Sequence, residues 1–407
     1  MSKKTTSITI TAARRPRAPA KSRAREVRHG AFTRIEDDPL APPDAPPVLV
    51  VTYFDLSFAA HTKTYSIKTP ALPKDPKETA NAVFNFIARA KTVGFPKAQG
   101  YGFAGNLAAF NLAKPRAPVL TSSVGADFGQ LVVEEGVLYM TRDGFITAFD
   151  VSDPAAIALI HDYNAMSDFG ALQSYMGRPA VLNKRLYVAS FPNFGGGSYL
   201  ATYNFDDPAA ATQIDVITLQ DFTIFTGTQN QKPPVALGVG VIYLSFQFMD
   251  TVLGDTYTTK LKTYSLASPD APAEVNSINV VASGSVSGDA PAHAYDRLWL
   301  NKSKTRLFLL TLGHSSLTGT LRMYDITTPA APALLDSIAY VYDQPFAQSA
   351  MYATDSGLVY LGTFAPTPSI EVYDVTGGTF ALQNTVAIPA ESQAYVVYAL
   401  DKKGFPQ

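Results

Sequence analysis

Met323-Tyr324-Asp325-Ile326-Thr327-Thr328-Pro329-Ala330-Ala331-Pro332 is the clearest copy of a pattern in which an aromatic residue is followed five positions later by proline. The same spacing recurs at Tyr65/Pro70, Phe110/Pro115, Phe149/Pro154, Tyr203/Pro208 and Tyr264/Pro269, and a seventh copy at Tyr373 has Gly378 where the proline would stand. The copies lie 45, 39, 54, 61, 60 and 49 residues apart, about 51 on average. Self-similarity at such a period marks a repeat architecture.

Each unit has the same grammar. Two apolar runs separated by a tight polar turn precede the aromatic, as in Leu131-Val-Val and Val137-Leu-Tyr-Met around Glu134-Glu135-Gly136. Asn183-Lys184-Arg185 and Asp355-Ser356-Gly357 mark the same turn in two other units, and such punctuation between β-rich runs is a hairpin signal. The third run carries the aromatic, and a fourth follows the proline turn. Four antiparallel strands per ~50 residues predict a propeller blade. The expected fold is an all-β, seven-bladed β-propeller over residues 47–407. Val48-Leu-Val-Val-Thr-Tyr supplies a second strand without a first, and Ala394-Tyr-Val-Val-Tyr-Ala-Leu400 a first strand without a second. The two ends are therefore expected to share one blade and lock the ring. One stretch departs from the scheme: Asp75-Pro76-Lys77-Glu78 through Lys91 has an N-cap, a proline at the first helical position and helix formers, which predict a helix. A helix there leaves six complete blades.

The aromatic-x-x-x-x-Pro-x-x-Pro pattern, best seen from Tyr324 to Pro332, resembles the LVIVD-type propeller repeats of bacterial surface and exported proteins. The Phe149 and Tyr203 copies lack the second proline. The resemblance implies a propeller and transfers no catalytic residue to this chain. On their own chemistry, the motif aromatics are expected to pack between adjacent blades, and the Asp-Pro or Thr-Pro pairs to form local turns.

The chain has 407 residues, 46% apolar and 16% charged, with no cysteine. That length exceeds one ordinary core, and the missing thiols exclude disulfide scaffolds, thiolate metal sites and cysteine nucleophiles. No run approaches the ~20 apolar residues of a membrane span, and no apolar stretch follows the basic start as a signal peptide requires. A soluble protein is expected. Its net charge of -1 conceals a division: residues 1–36 carry +8 and the remainder -9. The basic residues Lys3, Lys4, Arg14, Arg15, Arg17, Lys21, Arg23, Arg25 and Arg28 are interleaved with Pro, Ala, Ser and Thr, too apolar-poor to fold alone. A Pro-rich linker ends near residue 46, so the chain divides into an arm (1–46) and a propeller (47–407). The arm suits nucleic-acid phosphates or an acidic groove on a neighbouring subunit. Its Ser7-Ile-Thr-Ile-Thr11 alternation suits strand addition; an Arg-rich transit peptide is the competing reading.

Catalytic signals are sparse. The five histidines form no H-x-x-H, HExxH or H-x-H cluster, so no metal or other cofactor is expected. His293 and Asp296 in Ala-His-Ala-Tyr-Asp-Arg offer an acid/base pair or an ordinary polar loop. The connections into inner strands contain Asp127, Asp168, Gln173, Gln231, Gln348 and Glu391; with His293 and Asp296 they are the candidate contacts of an axial face, where loops on a rigid scaffold carry function. Two functions follow. One is a non-enzymatic structural subunit, tethered by its arm into a virion or other multi-subunit particle. The other is a glycan-binding or polysaccharide-hydrolysing propeller using the axial loops.

Overall fold

The computed structural model describes residues 48–400 apart from 55–59, 68–72, 81–82, 90–97, 104–105, 113–118, 128, 143, 170–173, 193–196, 221–233, 250–255, 286–296, 313–317, 342–350, 364–366 and 389–392. The arm, its basic residues and the Pro-rich linker lie outside that description.

The described strands form seven antiparallel sheets. Sheet I joins the ends of the chain, in the order Gln393–Leu400, Val48–Phe54, Ala60–Ser66, Lys74–Ala80. Each of the others draws on one continuous stretch. Sheet II is Val83–Arg89, Ala98–Phe103, Leu107–Asn111 and Val119–Val124. Sheet III is Gln130–Glu134, Val137–Arg142, Phe145–Asp150 and Ala158–Asn164. Sheet IV has a first strand broken into Ser174–Met176 and Ala180–Leu182, then Arg185–Pro192, Ser198–Asn204 and Thr212–Gln220. Sheet V is Val235–Leu237, Val241–Met249, Thr256–Ser265 and Ala273–Ser285. Sheet VI is Arg297–Leu300, Arg306–Leu312, Thr318–Asp325 and Ala333–Val341, and sheet VII is Met351–Ala353, Leu358–Thr363, Ser369–Asp374 and Ala381–Ala387. First strands of successive sheets touch one another in a closed circuit that returns to Gln393–Leu400. The molecule is a β-propeller, closed as expected by strands from both termini.

The helix expected over 75–91 is replaced by the outermost strand of sheet I and the first strand of sheet II. Pro76 lies on an outermost strand, a position that tolerates a missing N–H. Val83, Phe84, Phe86 and Ile87 are types favoured on a pleated surface. Pairing of Val83–Arg89 with Ala98–Phe103 outweighs the local helix signals.

All seven motif aromatics occupy third strands and are buried. Wherever the packing is described, the ring meets the preceding sheet: Phe149 meets Tyr101 and Leu107, Tyr203 meets Tyr139 and Ile146, and Tyr65 meets Tyr360 and Ile370 across the closure. A second aromatic series sits on second strands at Tyr139, Tyr187, Tyr243, Phe308 and Tyr360, each at most 1% exposed. Tyr187 and Tyr243 donate hydroxyl hydrogen bonds to the carbonyls of Pro269 (3.0 Å) and Pro329 (2.8 Å) in the following sheet. Adjacent sheets are thus joined by rings in both directions.

The proline turns are built as their chemistry requires. Carboxylate or amide oxygens of Asp150, Asn204, Asp325 and Asp374 each accept the backbone N–H two residues on at 2.8 Å. The chain then reverses as the N–H of Ala156 donates to the Asp153 carbonyl at 2.9 Å and that of Ala331 to the Thr328 carbonyl at 3.0 Å, with Pro154 and Pro329 in the second turn position, where their fixed φ fits. Opposite each motif aromatic of sheets II to VII the outermost strand holds one extra, unpaired residue: Thr121, Ile160, Ile214, Val275, Leu335 and Gln383. Such bulges raise local twist and interrupt the exposed edge that could otherwise template another strand.

Candidate functional site

A cleft of about 420 Å³ opens between sheets II and III. It lies on the face that carries the connections into first strands, because Asp127 belongs to the connection between Val119–Val124 and Gln130–Glu134, and Asn106 to the turn after Ala98–Phe103. The strand period places Met140, Arg142, Thr147 and Phe149 on the side of sheet III that faces sheet II, and register pairs Thr147 with both Met140 and Asp162.

Arg142 organises the site. Its two terminal nitrogens donate to Asp127 Oδ2 and Asp162 Oδ2, both at 2.6 Å. Thr147 donates to the other oxygen of Asp162 at 2.6 Å, and the guanidinium stands 5.0 Å from the centre of the Phe145 ring. These are charge-assisted bonds of the strong kind, but the Asp127 side chain is 82% exposed, so that arm of the pair contributes about 1 kcal/mol at most. Two carboxylates against one guanidinium leave the cluster with one surplus negative charge. Among the described residues the buried Nε–H of Arg142 has no acceptor.

Gly129 brings the connection into range. A Cβ there would meet Met140 Cγ at 2.6 Å and the Thr141 carbonyl oxygen at 2.7 Å. The carbonyl belongs to the strand ladder and cannot retreat as a side chain can. Gly129→Ala is expected to destabilise the fold by ~1–3 kcal/mol, read as a lower urea midpoint, and to displace Asp127 from Arg142. An unchanged midpoint would show that the connection shifts freely.

Asp127 lines a groove whose walls include Thr147 and Phe149 of the third strand and Leu159 and Asp162 of the outermost strand of sheet III. Asp168 lies in a 3₁₀ turn, Met166–Phe169, directly after the outermost strand of sheet III. It accepts the hydroxyls of Tyr163 (2.9 Å) and Tyr203 (3.3 Å), rings in edge contact at 5.5 Å. Burial, reinforced by the bond to Asp168 and its charge, pushes the Tyr163 hydroxyl up to about 12. Asp168 is thus held between sheets III and IV by structural bonds. Gln173, Gln231, His293, Asp296, Gln348 and Glu391 lie outside the described residues. Among the described residues no three His, Asp or Glu side chains come together to hold a metal ion.

Arg142, Asp162 and Thr147 were not singled out in the sequence. The available signal was a charged residue at the end of a largely apolar second strand and an acid within the outermost strand. Only the pairing register brings them onto one face.

No family model matches the chain, and no curated protein matches it. Solved structures do. The periplasmic gluconolactonase PpgL of Pseudomonas aeruginosa aligns with a TM-score of 0.58 at 10% identity, over 87% of this chain and 98% of that one. Hsv2p of Kluyveromyces lactis aligns with a TM-score of 0.44 at 12% identity, over 84% and 96%, and Sqt1 of Saccharomyces cerevisiae with 0.43 at 9%, over 81% and 87%. At such identity the likeness to the gluconolactonase establishes the β-propeller class alone.

Proposed function

We propose that the chain is a non-enzymatic interaction subunit, a propeller platform anchored by its basic N-terminal segment into a larger assembly such as a virion or another multi-subunit particle. The observation that carries this reading is the segregation of charge: +8 in residues 1–36 against -9 in the rest. A segment of that composition gains by meeting an acidic surface or a phosphate backbone. The closed ring supports the reading by supplying a rigid body with loops displayed on its face. The repeat grammar favours kinship with LVIVD-type repeats, a proposal that rests on the motif.

Deleting residues 2–36 is the test. The shortened chain is expected to keep the urea midpoint of the full chain and to lose co-sedimentation with the native particle. Association of the full chain should weaken steeply with salt, since each neutralised phosphate or carboxylate releases counterions. Nuclease treatment separates the partners: loss of association after digestion identifies nucleic acid, and persistence identifies an acidic neighbouring subunit. Co-sedimentation of the deletion at the level of the full chain defeats the proposal.

A further inference from the structure

We propose that Lys304 is a site of N-acylation, its side-chain amine taking an acyl group from an acyl phosphate or an acyl thioester. The inference is independent of the platform reading, because it uses only residues of the ring.

The turn that carries Lys304 holds it in place. It joins Arg297–Leu300 to Arg306–Leu312 in sheet VI. The side-chain oxygen of Asn301 accepts the N–H groups of Thr305 and Arg306, both at 2.9 Å, and the N–H of Lys304 donates to the Asn301 carbonyl at 2.9 Å. The N–H of Ser303 donates to Asp355 Oδ1 of sheet VII at 2.6 Å. From this turn the half-buried Lys304 side chain reaches across to the matching turn of sheet V, where Nζ donates to the Gly238 carbonyl at 3.3 Å. That turn is fixed in its own right, since the Gly238 N–H donates to the Val241 carbonyl at 2.9 Å.

The charge around Lys304 sets it apart. Arg142, Arg185, Lys262 and Arg306 each lie within 3.3 Å of a carboxylate. Among the described residues the Lys304 ammonium has only the Gly238 carbonyl. A partly buried charge without a counter-charge is disfavoured, and burial accordingly lowers the Lys304 ammonium from the ordinary lysine value. An ordinary lysine, titrating near ~10.4, is almost wholly protonated at neutral pH, whereas the free amine is the nucleophile. Desolvation thus gives Lys304 a larger share of the reactive form.

The same surroundings select acylation among the modifications of an amine. Methylation keeps the charge. A neutral imine nitrogen has no hydrogen for the Gly238 carbonyl, and a protonated imine restores the unmatched charge. An amide carries no charge and keeps one N–H for that carbonyl. In the step itself the lone pair of the free amine forms the C–N bond to the acyl carbon. The C–O bond to phosphate, or the C–S bond of a thioester, breaks with its electron pair leaving on the phosphate or thiolate, and the extra proton on nitrogen passes to solvent.

The test uses the full chain at neutral pH with acetyl phosphate, followed by peptide mass mapping at low conversion. Lys304 is expected to be acetylated roughly threefold or more faster than Lys302, its exposed neighbour in the same turn. Val239→Glu places a carboxylate next to the Gly238 carbonyl, at a position that is already 61% exposed. It should leave the unfolding midpoint unchanged and bring the Lys304 rate down to that of Lys302. Deletion of residues 2–36 should leave the ratio of the two rates as it was, so failure here and failure of the platform reading are told apart. The proposal is overturned if Lys304 reacts no faster than Lys302, or if Val239→Glu leaves the Lys304 rate unchanged.

Discussion

Removal of residues 393–407 is expected to abolish the cooperative fold. The strand Gln393–Leu400 pairs with Val48–Phe54 along its length and is the first strand of the sheet that joins the two chain ends. Without it, the edge of Val48–Phe54 is unpaired, and Leu49, Val51 and Tyr65 lose the cover that Ala399 shares in their cluster with Tyr360 and Ile370. The loss does not stay local. Gln393–Leu400 also touches the first strands of sheets II and VII, so the circuit opens on both sides and two inter-sheet cores meet water. With ~5–15 kcal/mol of stability in hand, a domain does not survive exposure of two such interfaces together with an unpaired edge. The truncated chain should elute as aggregate and show no sharp urea transition. A synthetic peptide of residues 391–407 should restore both the monomer and the transition, since the missing pairing is intermolecularly available. A truncated chain that remains monomeric with the parental midpoint would show that closure contributes little.

That closure could be read before any coordinates, because each end of the chain lacked the strand the other supplied. The repeat of Tyr and Phe every ~50 residues was equally plain, since the proline turn that follows each one fixes its place in the unit. The failure over 75–91 has a physical cause. An N-cap, a proline and helix formers are local signals, and the pairing that overrules them is with residues up to 103, beyond any window of local propensity. The outer bulges escaped for a related reason: one extra residue is defined only against its partner strand, as Ile160 is against Phe149 and Ala148. The second aromatic series lay just after the quoted turns, at Tyr139, Tyr187 and Tyr360, but without a proline to mark its spacing. Asp127 was legible as a loop acid, while its partners Arg142 and Asp162 became visible only when three strands were set in register. Asp168 was legible as an acid in the connection towards an inner strand, while its bonds to Tyr163 and Tyr203 depend on two sheets coming together.

The same buried tyrosines make the propeller sensitive to alkali. Burial pushes the hydroxyls of Tyr65, Tyr163, Tyr187 and Tyr243 up to about 12, and those of Tyr101, Tyr139, Tyr203, Tyr264, Tyr360 and Tyr373 higher still. In the unfolded chain a tyrosine releases its proton near ~10. The folded state therefore binds more protons than the unfolded state above that value, and stability must fall as pH rises. The contribution is complete below about pH 10 and is lost as pH climbs towards 12. Because many groups share the direction of shift, their effects accumulate, and the urea midpoint should be flat near neutrality and then drop steeply. The tyrosinate absorbance contributed by these ten residues should appear together with the loss of the β-sheet circular-dichroism signal. Tyr187→Phe and Tyr243→Phe sharpen the test. Each removes the hydroxyl bond to a proline carbonyl, at a cost of about 1 kcal/mol near neutral pH, yet each also removes an ionisable group, so the pair should lose stability at neutrality and lose less of it on going to alkali. If Tyr187→Phe and Tyr243→Phe instead remove absorbance that appears near ~10 while the sheets remain intact, the rings between blades are open to water and their described packing does not hold.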